Sequence, residues 1–293
     1  MNTLARGMAL AGALSAALAR ELRARTSKQR GGEAGEALRR VSTTYHENEF
    51  WVNVDGQNVY GLSYVPDVGG RLPLVVLSHG LGSDHAIAGP YARELASHGI
   101  VTMTFDFRGG AETNRSDGTP RDMSVMTEAH DLEAVLAMAR GWDCVDEGRI
   151  VIMGGSQGGA VTSIVAERAQ PQVAGVVLLY PAFSIFDHVH RACSSLNEVP
   201  ESNDLLGWLT VGSRYATDVW DYDFYQHMSY EGPVLIIHGS DDSVIPISYS
   251  RRAARTYRNC EYHTIRHGTH GFSGPAYDEA MSYLLDFVAR VCA

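Results

Sequence analysis

The chain has 293 residues, of which 45% are hydrophobic and 20% charged. That balance excludes a disordered, collagenous or coiled-coil polymer, and no apolar run is long enough to suggest a membrane span. The formal net charge of −10 is uneven: residues 1–40 hold eight Lys and Arg against Glu21, Glu33 and Glu36, a net of +5, so the remainder carries −15. An acidic body is a poor binder of polyanions, and no nucleic-acid partner is expected. Cys144, Cys193, Cys260 and Cys292 are scattered with no CxxC pair, which argues for plain thiols over a zinc ribbon or a disulfide framework.

In chain order, residues 1–40 read as a helical extension or a targeting segment. Leu4, Met8, Leu14, Leu18 and Leu22 recur near helical spacing before the breaker Gly31-Gly32. Arg6, the uncharged run Gly7–Ala19 and the small residues Ala17-Leu18-Ala19 also fit an export signal. A basic anchor on anionic lipid is a third reading of the segment. A cytoplasmic location is the first expectation, with export as the alternative and no membrane association.

Residues 41–293 read as one catalytic-size domain. Phe50–Val54, Asp55-Gly56 and Val59–Val65 predict a hairpin with a two-residue turn. Short apolar runs follow at Leu74–Leu77, Ile100–Phe105, Ile150–Met153, Val173–Leu179 and Val234–Ile237, as for strands buried on both faces. Helical patterns lie between them, at Ala86–Ser97, Met123–Ala139, Gln157–Ala169 and Tyr249–Tyr257, and a last one spans Ala276–Val291. The alternation predicts an α/β fold with a doubly wound, mostly parallel sheet. It breaks once, over about 182–231, which reads as an inserted cap.

Gly154-Gly155-Ser156-Gln157-Gly158 fits GxSxG between a predicted strand and a predicted helix. A sharp strand-to-helix turn is what lifts a serine hydroxyl above a sheet, and glycines permit the close backbone packing it needs. Such a serine requires a base, itself oriented by an acid, on loops past later strands. Val234–Ile237 runs into His238-Gly239-Ser240-Asp241-Asp242, and the strand-like Tyr262–Ile265 runs into His267-Gly268-Thr269-His270-Gly271-Phe272. A carboxylate and then an imidazole therefore follow the serine in chain order.

These motifs, with Ser78-His79-Gly80-Leu81-Gly82, Asp106-Phe107-Arg108-Gly109 and Ser116-Asp117-Gly118, make residues 45–292 resemble the α/β-hydrolase superfamily. Within it the chain is similar to the cinnamoyl (feruloyl) esterases and the dienelactone-hydrolase or serine-aminopeptidase-like group. The resemblance implies Ser156 as nucleophile, His270 as base and Asp242 as acid, the HGxxD register favouring Asp242 over Asp241. It implies an oxyanion hole from the backbone N–H groups of Leu81 and Gln157, no cofactor, and a small-molecule acyl ester as substrate. Peptidase, thioesterase or acyltransferase chemistry on the same three residues, and a non-catalytic binding protein of the same fold, are the alternatives. The chain departs from the family at Gly155, where His or Tyr is common, and at Arg108-Gly109-Gly110-Ala111, where HGxGxS is.

Other candidates read less well. Asp106 ends a strand where some hydrolases of this fold place a nucleophile, but here the elbow carries serine. His79 is expected to order the oxyanion loop. His188 and His190 would point apart on a helix, so no metal is expected there. The insertion holds Phe183, Phe186, Trp208, Tyr215, Trp220, Tyr222, Phe224, Tyr225 and Tyr230. They could line an aromatic acyl pocket, for aromatic or short-chain acyl esters, or simply pack a small cap onto the body.

Overall fold

The computed structural model describes residues 42–293 except 171 and 206; the expectations for residues 1–40 lie outside the described residues. Asp55 and Gly56 both take positive φ, 54° and 84°, the type I′ geometry whose twist matches paired strands. They fold Tyr45–Val54 (β1) onto Gln57–Pro66 (β2) in antiparallel register. Then come Leu72–Ser78 (β3), His85–Ser97 (α1), Val101–Phe105 (β4), Val125–Arg140 (α2), Val145–Gly155 (β5), Gln157–Arg168 (α3) and Gly175–Leu179 (β6). After the insertion, Val234–Gly239 (β9), Ser248–Thr256 (α6), Cys260–Ile265 (β10) and Pro275–Val291 (α7) complete the chain.

The eight-stranded sheet has the order β1-β2-β4-β3-β5-β6-β9-β10 among the described residues. β1, β2 and β4 pair antiparallel, and every later neighbour pairs parallel. Strict alternation builds a core on each face. Leu74, Val76, Ile150, Ile152, Val176 and Leu178 point to the side of α2 and α3. Val75, Leu77, Val151, Met153, Val177 and Leu179 point to the side of α1 and α7. Each such side chain, fully buried, contributes about 1.5–3 kcal/mol, which is why these strands read as continuous apolar runs. No helix among the described residues is long and apolar enough to cross a membrane.

The helix expected from Met123 begins at Val125. Ser124 caps it by accepting from the N–H groups of Met126 and Thr127, and Pro120–Asp122 forms a separate 3-10 turn. The residues between β6 and β9 form Ile185–Ala192 (α4), a hairpin of Ser202–Leu205 (β7) with Leu209–Gly212 (β8), and Arg214–Thr217 (α5). The hairpin sits on the 120–122 turn: a Cβ at Gly212 would meet the Arg121 carbonyl oxygen at 2.1 Å. The tip residue Trp208, although 57% exposed, covers Gly82 so closely that a Cβ there would meet its ring at 2.1 Å.

Candidate active site

Ser156 sits between β5 and α3 with φ 55° and ψ −123°, a strained backbone for a residue with a Cβ. Both motif glycines are demanded by close approach. A Cβ at Gly154 would meet the Gly158 carbonyl oxygen at 2.2 Å, and one at Gly158 would meet the carbonyl oxygens of His79 and Ser78 at 2.3 and 2.5 Å. The Ser156 N–H donates to the Leu179 carbonyl at 2.9 Å, fixing the turn to the end of β6.

The loops after β9 and β10 bring the other two residues to it. A Cβ at Gly239 would meet the Gly268 carbonyl at 2.1 Å, so the two loops lie backbone against backbone. His270 Nε2 then lies 3.0 Å from Ser156 Oγ, and His270 Nδ1 lies 2.8 Å from Asp242 Oδ2. Asp242 Oδ1 accepts from the N–H groups of Val244 and Ile245 at 2.8 and 2.9 Å. The buried His238 donates from Nε2 to Asp242 Oδ2 at 3.2 Å and to the Ile245 carbonyl at 3.0 Å, and its Nδ1 accepts from Ser250 Oγ at 2.7 Å. Burial alone would push the Asp242 carboxyl up. The hydrogen bonds from His238, His270, Ile245 and Val244 outweigh it and hold the group well below the usual carboxylate range. Asp241 is exposed instead, accepting from Ser240 Oγ at 2.7 Å and from His267 Nδ1 at 3.1 Å.

The 79–82 loop lies against the serine: a Cβ at Gly80 would meet Ser156 Cβ at 3.2 Å. His79 is buried, and burial pulls its pKa down, so the ring is neutral. Its Nδ1–H donates to the Gly80 carbonyl at 2.8 Å and its Nε2 accepts from the Phe107 N–H at 3.0 Å. The ring thereby braces the segment that carries Leu81. A Cβ at Gly110 would meet His79 Cε1 at 2.9 Å, so the backbone after Arg108-Gly109 lies directly against the ring. Gln157 opens α3, where the first N–H groups have no acceptor inside the helix. Asp106 is fully buried and accepts from the His85 N–H, His85 Nδ1 and the Arg115 N–H, so its role is structural.

Two residues of the site, Tyr180 and Glu128, were not singled out in the sequence. Tyr180 follows β6 with φ 37°, its ring 4.8 Å from His270 and 5.0 Å from Phe272. It lies 3.4 Å from where a Gly155 Cβ would be, so the aromatic group here comes from the neighbouring strand. Gln157 Nε2 donates to both Glu128 oxygens at 3.0 and 2.9 Å, and Gln157 Oε1 accepts from Tyr215 Oη at 2.7 Å. Glu128 is wholly enclosed, and burial pushes its carboxyl up to about 8. The available signal was an acid on the apolar stripe Val125, Ala129, Leu132, Leu136.

The aromatic-pocket reading of the insertion does not hold. Phe183 packs on Phe224 and Tyr225 at 5.6 and 5.8 Å, and Tyr230 Oη donates to the Val173 carbonyl. His190 lies between Phe186 and Trp220, each at 4.5 Å, with Nε2 donating to the Trp220 carbonyl. Tyr215 is the one residue of the nine that lines the cavity beside Ser156; the others pack on one another within the insertion, bond the body through the hydroxyls of Tyr222, Tyr225 and Tyr230, or, for Trp208, cover Gly82. Among the described residues no group of three or more His, Cys, Asp or Glu is placed to hold a metal.

The family model described as Hydrolase_4, serine aminopeptidase, S33, matches residues 71–219, just over half of the chain. The chain belongs to this family. The matched Hydrolase_4 region holds Leu81, Ser156 and Gln157 and stops before Asp242 and His270. Its relatives include an uncharacterized 31.7 kDa protein from the traX-finO intergenic region of Escherichia coli, 31% identical over 41% of either chain. The quorum-quenching protein AidA of Acinetobacter baumannii is 32% identical over 33% of this chain and 31% of its own. The chain thus spans well under half the length of these two relatives. Est1E from Butyrivibrio proteoclasticus, solved with ferulic acid bound, superposes with a TM-score of 0.73 at 22% identity, over 81% of this chain and 96% of its own. The fold is that of the α/β hydrolases.

Proposed function

We propose that the protein is a serine hydrolase that cleaves small carboxylic esters through an acyl-enzyme intermediate. The observation that carries this reading is the unbroken chain from Ser156 Oγ through His270 to Asp242, at 3.0 and 2.8 Å. Ser156 Oγ attacks the ester carbonyl as His270 Nε2 takes its proton. Asp242 holds the Nδ1–H tautomer and offsets the imidazolium charge. The N–H groups of Gln157 and Leu81 receive the tetrahedral oxyanion, each worth about 3 kcal/mol of barrier when fixed beforehand. His270 returns the proton to the leaving alcohol, and water repeats the sequence to release the acid. These steps draw on no cofactor.

The family description favours a second reading, hydrolysis of peptides from the amino end. Such a substrate brings an ammonium group, which calls for an acidic partner near Ser156. The one carboxylate lining the larger cavity, Glu198, is exposed and already accepts from the N–H and Oγ of Ser194. That favours esters over aminoacyl substrates. The test is fluorophosphonate labelling together with turnover of matched ester, thioester and anilide substrates. Wild type labels and turns over the ester fastest. Ser156→Ala does not label, keeps its fold and loses roughly 10⁴- to 10⁶-fold in kcat. Retained turnover within about tenfold, or preference for the anilide, overturns the reading.

A further inference from the structure

Two cavities meet at Ser156, His270 and Leu81. The smaller, about 270 Å³, lies among the ends of β3, β5 and β6 and α1, with Ile87, Tyr91 and Met153 in its wall. The larger, about 780 Å³, runs beneath the insertion. One wall of it is the apolar face of α4, on which Ile185, Val189 and Ala192 follow helical spacing, with Cys193 just past the end of the helix. Asp187, on the opposite face, is tied to Tyr249 Oη at 2.6 Å. Val211 of the hairpin and Val244 beside Asp242 line the cavity as well.

Most of this lining is aliphatic because all but one of the insertion's aromatic residues are packed elsewhere; Ser184, Glu198, Asn203 and Ser213 are polar members of the wall. Tyr215 is the exception, and its hydroxyl is fixed by Gln157. His188 also borders the cavity, and burial, with Arg191 second, lowers its pKa and favours the neutral ring. A flat aromatic acyl group would find almost no rings to stack on. An acetyl group would leave most of the apolar wall facing water, since a methylene displaces about one water volume, ~30 Å³.

We propose that the larger cavity binds an aliphatic chain of about eight carbons or more on one side of the scissile carbonyl, with a compact group on the other. The proposal rests on the serine-hydrolase reading above. Each methylene that leaves water for such a wall raises kcat/KM about threefold to fourfold, until the chain reaches the cavity's end.

Two ester series test it on the full chain. In the first, p-nitrophenyl esters run from acetate to decanoate, with the cinnamate beside them; in the second, alkyl acetates run from ethyl to decyl. A rise of kcat/KM with chain length up to at least the eight-carbon member in one series supports the proposal and assigns the chain to the acyl or the alcohol side. Flat or falling profiles in both series overturn it, as does a cinnamate that outperforms the octanoate while the alkyl acetates stay flat. Val189→Trp, checked for folding by circular dichroism, is expected to lower the octanoate-to-acetate ratio by about tenfold or more if the acyl side enters. Labelling by diisopropyl fluorophosphate separates the two levels. A chain labelled at Ser156 without a chain-length gain loses only this proposal, whereas one that neither labels nor hydrolyses any ester loses the underlying reading with it.

Discussion

The Asp242 carboxylate accepts from His270, His238 and two backbone N–H groups, whereas its neighbour Asp241 faces solvent beside His267. Asp242→Asn puts an amide where an acceptor is needed, leaving His270 in the wrong tautomer. We expect kcat to fall by about 10² or more, and by less than about tenfold in Asp241→Asn, measured on one soluble ester. The reverse ranking would move the acid to Asp241. Glu128 calls for a different measurement. Its carboxyl is raised from 4.5 to about 8, so between those values the folded chain keeps a proton that the unfolded chain releases. Its contribution to stability is therefore full below 4.5 and declines as pH rises to about 8. Glu128→Gln keeps an oxygen for Gln157 Nε2 and removes the titration. The gap between its unfolding midpoint and that of wild type should shift in favour of the variant as pH is raised through this range. A gap that does not move with pH would mean that Glu128 ionises normally.

Among elements, the strand-turn-helix at Ser156 tolerates least. The position of Gly158 is closed by two backbone carbonyls, of His79 and Ser78, which cannot swing aside as a side chain can. Gly158→Ala should destabilise by about 3 kcal/mol or more, lowering Tm by about 6 °C or more, and should separate the Ser156 turn from the 79–82 loop. Scanning calorimetry reads the first effect and ester turnover the second; an unchanged Tm would show that β3 and α3 can part cheaply. The insertion is built on the opposite principle. Its hairpin touches the body through Gly212 on Arg121 and Trp208 on Gly82, so its short strands gain order from contact with the body and not from their own propensity.

For the molecule as a whole, every described strand of the sheet and every residue assigned to the site lies after residue 41. A chain beginning at residue 41 is expected to unfold at the same Tm and to show the same kcat/KM on a small ester as the full chain. A drop in either would assign residues 1–40 a packing role in the folded body. The two cores on opposite faces of one sheet make the site a product of neighbouring strand ends: Ser156 follows β5, Tyr180 follows β6, and Asp242 and His270 follow β9 and β10. Adjacent strands lie about 4.8 Å apart, so residues far apart in the chain reach hydrogen-bond distance only because the strand order places their loops together.

The sequence alone determined the sheet and the candidate triad because both are written in short, local patterns. Apolar runs of strand length, Asp55-Gly56, the glycines around Ser156, and the loops that carry Asp242 and His270 each state their structure within about ten residues. The tertiary structure alone decided what surrounds them. Glu128 and Tyr215 meet through Gln157 from positions 87 residues apart in the chain, and Tyr180 fills the space beside Gly155 from the next strand. The aromatics of the insertion could equally have lined a pocket or packed on the body, since their composition is the same in both cases. Only the partners each ring found, Phe224 for Phe183 and Trp220 for His190, left the cavity wall to Ile185, Val189 and Val211. Contacts of that range depend on where the whole sheet carries each element, and no local pattern records them.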